Sequence, residues 1–417
     1  MNETKQIFAF IRPSTRKLLR KTRRLLEIKR TLKIIQLKAF CLWNKFAGEK
    51  IVVFHLSYRG QEAYISPVIR QMKSRKQGCC FLAIDERLRM DVDVVSEATG
   101  IAKSKIVTWD LLNWLQTIHA FITPTQWACP INRANIRVCM FHGQPSKGNT
   151  FAPELIKNFN TLFILGPLQR SLYESFCTAY PTITEKIKSF NVGYPKSDDL
   201  VNGCYKKEAT LSLLGLPEDI PVVLYAPAYD PGTSLDMYGD RVVEELMKCG
   251  ACVIVKLHPM HYNSENYPSG INWPHRLKRF ENNKLFFHAG NQPIDTFLVA
   301  SDVLVTDVSG VALEFMLLDK PVIFIDCPDF FQNTIGSDSQ GRYIRSAEDV
   351  LNDIRANAGR SAGLVVSGPG DLGDAIKRSL EFPMAFSAER QSVRSQLLYN
   401  PGTAASSAAD ILIDLLG

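Results

Sequence analysis

The chain predicts an α/β fold of two doubly wound, parallel-sheet domains facing across a cleft, preceded by a basic amphipathic helix. Three observations carry this. At 417 residues the chain exceeds what one hydrophobic core comfortably organises, so two domains are expected. From residue 50 onward, short β-rich runs alternate with helical stretches, which is repeated βαβ text. Several of those runs are continuously apolar rather than alternating, the mark of parallel strands covered on both faces.

Residues 1–49 form the basic segment. Residues 1–45 hold thirteen Lys or Arg against Glu3 and Glu27, a local charge of +11. The whole chain carries +7, so the remainder carries −4 and the positive charge belongs to one segment, not to the fold. Leu18, Leu25 and Leu32, with Ile28 and Ile35, recur at helical spacing, and Phe40, Trp43 and Phe46 close the run. No apolar stretch approaches the roughly 20 residues of a bilayer span, and no signal-peptide core is evident. This pattern suits the surface of an anionic membrane leaflet. A solvated packing helix and a nucleic-acid arm are the alternatives, and the rest of the chain shows no basic–aromatic reader, so nucleic acid is not an expected partner.

Residues 50–203 read as the first domain, a Rossmann-like unit. Its strands are expected at 51–57, 79–85, 105–110, 120–125, 137–143 and 161–166, with helical text at 67–76 and 167–176 between them. A seam rich in turn formers, SFNVGYPKSDDLVNG at 189–203, closes it. Residues 204–390 restart the alternation as a second Rossmann-like domain. Strands are expected at 221–227, 251–259, 284–289, 302–307 and 321–326, with helices at 240–250, 293–300, 311–318 and 370–381. Residues 391–417 end in a helix from about 403 to 416, placed to pack back on the first domain. Two such domains across a cleft make a GT-B-like arrangement, in which ligands bind beyond the carboxyl ends of the strands.

The ten cysteines are scattered through apolar runs, as reduced buried thiols are, and a disulfide framework would be unusual in a chain of this size. Cys249 and Cys252 form a CxxC without a second pair or a nearby His, so small apolar filler is expected there and no metal. No cofactor motif appears either, and none is expected.

The strand ends hold the candidate chemistry. The strand ACVIVKLHP is expected to end at His258, so Lys256 and His258, two apart, point the same way, and Pro259 stops the ladder directly afterwards. Two potential cations at one strand end suit an anion; a rim lysine and a satisfied histidine are the alternative. In DVSGVALEFMLL, Ser309 stands where an N-cap belongs and Gly310 opens the helix, a start that favours phosphate. Glu314 lies one turn in, among Val311, Leu313, Phe315 and Met316. A carboxylate in so apolar a helix needs donors, either ribose hydroxyls at the cleft or a buried ion pair. In FHGQPSKG, His142 stands at the lip of an apolar run, followed by Gly143, Gln144 and Lys147, as a base beside an anion-cradling loop or as an ordinary turn.

Taken together, VKLHP followed some fifty residues later by SDVLVTDVSGVALEFMLLDKPVIF resembles the CDP-glycerol glycerophosphotransferase family, which builds glycerol-phosphate polymers such as teichoic acids and some capsules. FHGQPSKG resembles that family's HGTP-type motif, YAPAYD its Ala-Pro-Thr strand end and VGYPKSD its Gly-x-Pro seam. YRGQEAYISP resembles its first βα loop more loosely, and NPGTAAS faintly its Gly-Lys-Ala-Ser entry into the closing helix. The likeness covers about residues 50–415 and is specific from His258 to Pro321. Three departures stand out: Val308 and Gly310 within the family's Asp-Tyr-Ser-Ser, Gln144 for the Thr of HGTP, and Tyr229-Asp230 for a common Trp-Arg. They bear on the donor more than on the chemistry.

The resemblance implies a transferase that moves glycerol phosphate, or a related polyol phosphate, from a CDP-linked donor to a hydroxyl of a polymeric or lipid-linked acceptor, releasing CMP. It implies His142 and His258 as the catalytic pair, the first as base on the acceptor hydroxyl, the second neutralising the pyrophosphate. Lys256, Thr306, Asp307, Ser309, Gly310 and Glu314 would hold the donor, with Glu314 on the ribose, and Gly143, Gln144 and Lys147 the acceptor side. It also implies work on the cytoplasmic face of the membrane, as a peripheral protein. Three rivals use the same text: a GT-B glycosyltransferase or epimerase taking UDP- or CMP-sugar, a metal-dependent hydrolase built on His258, His261 and Asp307, and a membrane-associated scaffold without turnover.

Overall fold

The computed structural model describes residues 13–57, 60–76, 78–84, 90–115, 117–128, 130–143, 151–262, 270–281, 283–290, 292–330 and 359–417. Its apolar runs fold into two sheets. The first holds β1 (Ile51–Leu56), β2 (Cys79–Ile84), β3 (Ile106–Thr108), β4 (Ala120–Thr123), β5 (Ile136–Cys139), β6 (Thr161–Ile164) and β7 (Lys188–Asn191), in the order β3-β2-β1-β4-β5-β6-β7. The second holds β8 (Val222–Tyr225), β9 (Cys252–Val255), β10 (Phe286–His288), β11 (Val303–Thr306), β12 (Val322–Ile325) and β13 (Leu364–Val366), in the order β10-β9-β8-β11-β12-β13. Every described pairing is parallel.

Two strands lie outside the sequence expectation. β7 (KSFN) is polar and partly exposed, and β13 (LVV) is apolar but only three residues long at a sheet edge, too short to mark a buried strand. The expected strands also end early: β5 stops at Cys139 and β9 at Val255, which moves His142, Lys256 and His258 onto the loops beyond. Strand order reverses between β1 and β4 and between β8 and β11. The carboxyl ends of these four strands therefore mark the two switch points where ligands bind in such sheets.

Helix α1 (Pro13–Ala47) runs 35 residues, about 52 Å at the α-helical rise. Leu37 and Cys41 on one side pack with Ile51 and Val53 of β1 and with Phe81 and Phe121. The opposite face of the same strand, Val52 and Phe54, is covered by Ile65, Val68 and Met72 of α2 (Glu62–Ser74), as strand alternation requires.

In the second domain α3 (Asp295–Ala300) and α4 (Val311–Met316) flank β11. The chain then returns. α5 (Ser387–Leu397) puts Val393 and Leu397 into one apolar cluster with Phe176 of the first domain and Leu313 and Met316 of the second. α6 (Ala404–Leu416) lays Ala405, Ala408, Ala409 and Leu412 on α2, and Asp198 accepts from the Ala404 and Ala405 backbone N–H groups at 3.1 and 2.7 Å.

Small residues let this return segment lie close. Gly193 has φ +96°, and a Cβ there would stand 2.1 Å from the Tyr399 carbonyl oxygen and 2.8 Å from Ala404 Cβ. Gly193→Ala is therefore expected to cost at least about 2 kcal/mol, since both the backbone conformation and the close approach are lost. Urea denaturation followed by circular dichroism checks it, and an unchanged midpoint would mean the segment is not held as seen here.

Candidate active site

On the first domain the chain leaves β5 with Met140 still bonded to the sheet, its N–H donating to Thr123 O at 2.9 Å. Phe141 then takes φ +59°, a left-handed conformation that an aromatic side chain rarely adopts, although its ring is fully buried against Phe151. This strained turn swings the next residue, His142, out of the sheet. His142 Nδ1 lies 3.1 Å from the Pro124 carbonyl oxygen at the end of β4. A carbonyl can only accept, so the imidazole proton sits on Nδ1 and the basic lone pair on Nε2. Burial pushes the imidazole below its ordinary 6.5, against an opposing pull from the Pro124 hydrogen bond. A neutral imidazole with a fixed tautomer results. Among the described residues, a Cβ on Gly143 would meet nothing within 4 Å. Gln144 and Lys147 lie outside the described residues.

The seam brings the two domains together at this point. The Tyr194 hydroxyl stands 3.2 Å from the His142 carbonyl oxygen and 3.4 Å from Glu314 Oε1. Lys196 Nζ donates to Glu314 Oε2 at 2.5 Å and lies 3.4 Å from Asp295 Oδ1, the first residue of α3. One ammonium thus meets two carboxylates, and its side chain is 8% exposed. Burial alone would lower the Lys196 pKa, but Glu314 and Asp295 outweigh it and raise it well above the usual value. Tyr64 of α2 packs its ring 6.2 Å from His142 and 6.1 Å from Tyr194, and burial raises its hydroxyl pKa. Glu314 is therefore engaged in the buried ion pair that was one of its two sequence readings.

At the second switch point the structure corrects the expected donor set. Thr306 Oγ1 donates to Ala226 O at 2.7 Å and is fully buried. Asp307 accepts from the N–H groups of Ala228 and Val308 and from both N–H and Oγ of Ser234. Both side chains are spent on holding the loop after β8 against β11 and present nothing to the cleft. Ser309 does not cap α4. Gly310 occupies that position with no side-chain cap, and Ser309 supplies its carbonyl to the Ala312 N–H at 3.2 Å.

Lys256 and His258 also diverge, because β9 ends before them and strand alternation no longer applies. Lys256 is buried and donates to Gly290 O, beyond β10, at 2.9 Å and to Leu257 O at 3.3 Å. Burial brings its pKa down to about 8. His258 is exposed and stacks on Tyr229, beyond β8, with ring centroids 4.3 Å apart. Its Nδ1 accepts the Met260 N–H at 3.2 Å, so the neutral ring carries its proton on Nε2 and acts there as a donor. His142 and His258 thus hold opposite tautomers, one presenting a base and the other a donor. Nearby His261 is fully buried, which pushes its pKa down to about 4. Among the described residues no group of three His, Cys, Asp or Glu is placed to hold a metal ion, so His258, His261 and Asp307 do not form the ligand set that the hydrolase reading needs.

Sequence reasoning missed Tyr194, Lys196, Asp295 and Tyr64. The motif YPKSD held the signal: a lysine in turn text beside an aromatic, whose partner Glu314 lies 118 residues away. The cysteines described, among them Cys249 and Cys252, are free thiols.

Residues 168–332 match the family model described as CDP-glycerol:poly(glycerophosphate) glycerophosphotransferase, the same family that the motifs resemble. A teichoic acid glycerol-phosphate primase of Bacillus spizizenii is 28% identical over 136 residues, covering 32% of this chain and 32% of the primase. A teichoic acid poly(glycerol phosphate) polymerase of Bacillus subtilis is 29% identical over 260 residues, covering 57% of this chain and 32% of the polymerase. The aligned part thus spans about a third of the length of these relatives. Among solved structures, the wall teichoic acid polymerase TagF superposes with a TM-score of 0.61 at 16% identity, over 98% of each chain. A UDP-GlcNAc 2-epimerase from Neisseria meningitidis superposes with a TM-score of 0.54 at 12% identity, over 88% of this chain and 99% of the epimerase. Both are likenesses of fold, and they agree with the GT-B-like arrangement of two parallel-sheet domains.

Proposed function

We propose that this chain transfers glycerol phosphate, or a related polyol phosphate, from a CDP-linked donor to a hydroxyl of a polymeric or lipid-linked acceptor, releasing CMP. The observation that carries the reading is the His142 tautomer, a basic Nε2 held at the cleft by the Pro124 carbonyl. The family match over residues 168–332 supports the donor class. In the reaction the acceptor oxygen attacks the glycerol-bearing phosphorus while Nε2 of His142 takes its proton. A new P–O bond forms, the bond to the bridging pyrophosphate oxygen breaks, and CMP leaves with the electron pair. The protein's part is positioning and charge stabilisation. His258 donates through Nε2 to the pyrophosphate, and Lys256, stripped of water and held by carbonyls, supplies the nearby cation. Glu314 Oε2 is held by Lys196, so Oε1 is the oxygen offered to a ribose hydroxyl.

The test is to offer CDP-glycerol, CDP-ribitol and UDP-sugars with acceptor membranes and identify the product by mass spectrometry. CMP release with polyol phosphate added to the acceptor is expected. Release of UDP alone would sink the reading in favour of sugar chemistry.

A membrane-facing acceptor fits α1. Leu25, Ile28, Leu32, Ile35, Leu42 and Phe46 form an exposed stripe opposite the buried Leu37 and Cys41, and Trp43 is 71% and Phe46 88% exposed. Among the described residues no helix is long and apolar enough to cross a membrane. An interfacial helix with basic flanks gains from both apolar burial and anionic headgroups. The full chain is expected to sediment with phosphatidylglycerol vesicles, less with phosphatidylcholine, and Trp43→Ser with Phe46→Ser to weaken binding at least about tenfold. Equal sedimentation of wild type and variant would refute a lipid role for this stripe.

A further inference from the structure

We infer that Tyr194 is a positioning residue that couples occupancy of the donor site to the setting of His142, an inference that rests on the transfer reading above. A tyrosine hydroxyl has one proton to donate. Acceptors on different domains stand around it, the His142 carbonyl at 3.2 Å and Glu314 Oε1 at 3.4 Å, and the Tyr64 side chain is a further hydrogen-bond partner on the His142 side. The residue is 2% exposed, and its ring is enclosed by Tyr64. Lys196 fixes the other Glu314 oxygen at 2.5 Å, so Oε1 alone is exchangeable. When a ribose hydroxyl donates to Oε1, the Tyr194 proton turns to the His142 carbonyl.

That carbonyl belongs to the residue directly after Phe141, whose φ of +59° leaves the turn strained. A hydrogen bond there restrains the backbone that carries the imidazole, while the Pro124 contact restrains the ring. Donor binding on one domain thereby steadies the base on the other, without either ligand touching Tyr194.

Tyr194→Phe keeps the buried ring and removes only the proton. The variant is expected to show kcat about tenfold lower while KM for CDP-glycerol and Kd for CDP stay within about twofold. A packing defect would instead weaken donor binding along with turnover. A second readout needs no turnover. With only seven histidines in the chain, 13C-labelled imidazoles resolve individually, and His142 is identified by its absence from His142→Ala. Adding CDP is expected to shift the His142 signal in the wild type and leave it in place in Tyr194→Phe. An equal shift in both proteins, no shift in the wild type, or an unchanged kcat in the variant would overturn the coupling. If the wild type fails to transfer polyol phosphate yet CDP still shifts His142 through Tyr194, the transfer reading falls and the coupling stands. If transfer proceeds normally in Tyr194→Phe, the coupling alone falls.

Discussion

Replacing His142 by alanine is expected to lower kcat for transfer from CDP-glycerol about 10³-fold, within the range lost when a positioned general base is removed. Binding of CDP should stay within about twofold, because the donor's phosphates are assigned to the other domain. His142→Gln is a stricter comparison, since it keeps a donor for the Pro124 carbonyl but has no basic nitrogen. It should be nearly as slow. The pH profile adds a sign. The base works only when neutral, and burial holds its pKa below 6.5. Activity should therefore persist as pH falls through 6.5 and decline only below it, through the lowered value. A limb in kcat/KM at or above that point, or the same limb in His142→Gln, would remove His142 from the role.

The second large effect falls on stability. Lys196→Met leaves the Glu314 and Asp295 carboxylates together at the domain junction without the cation that joins them. Breaking a buried pair from one side costs about 3–5 kcal/mol, more than the pair itself contributes, because an uncompensated charge stays buried. Adding Glu314→Gln to Lys196→Met should restore part of the loss, because one stranded charge is removed. Urea denaturation of the single and double variants measures both. A deficit untouched by the second substitution would mean that Lys196 acts through packing alone.

Much of this architecture is legible in linear text because its causes are local. Runs such as IVVF and VLVT are apolar on both faces, and only a covered parallel strand uses that pattern. β7 escaped notice because an edge strand needs no such run, and its KSFN reads as seam. The site was legible only in part. His142, Lys256 and His258 announce themselves as polar residues closing apolar segments. Thr306 and Asp307 were placed at the cleft by their position, yet their hydrogen bonds go to residues as distant as Ala226, Ala228 and Ser234. Buried polar atoms take whichever partner the fold brings, and spacing along the chain does not say which.

By itself the sequence determined the α/β class, the two sheets, the basic helix ahead of them and the strand ends where polar side chains gather. Periodicity and apolar runs act within a few residues, so they survive translation into structure almost unaltered. Only the tertiary structure decided which nitrogen of each histidine carries the proton, that Glu314 is paired with Lys196, and that one tyrosine hydroxyl spans the two domains. Each of these tautomers is set by a backbone group 18 or 2 positions away that the turn beyond the strand brings to the ring. The last two are settled by contacts between residues 52 to 120 positions apart, where the penalty for a buried, unpartnered charge selects the partner after the chain has closed.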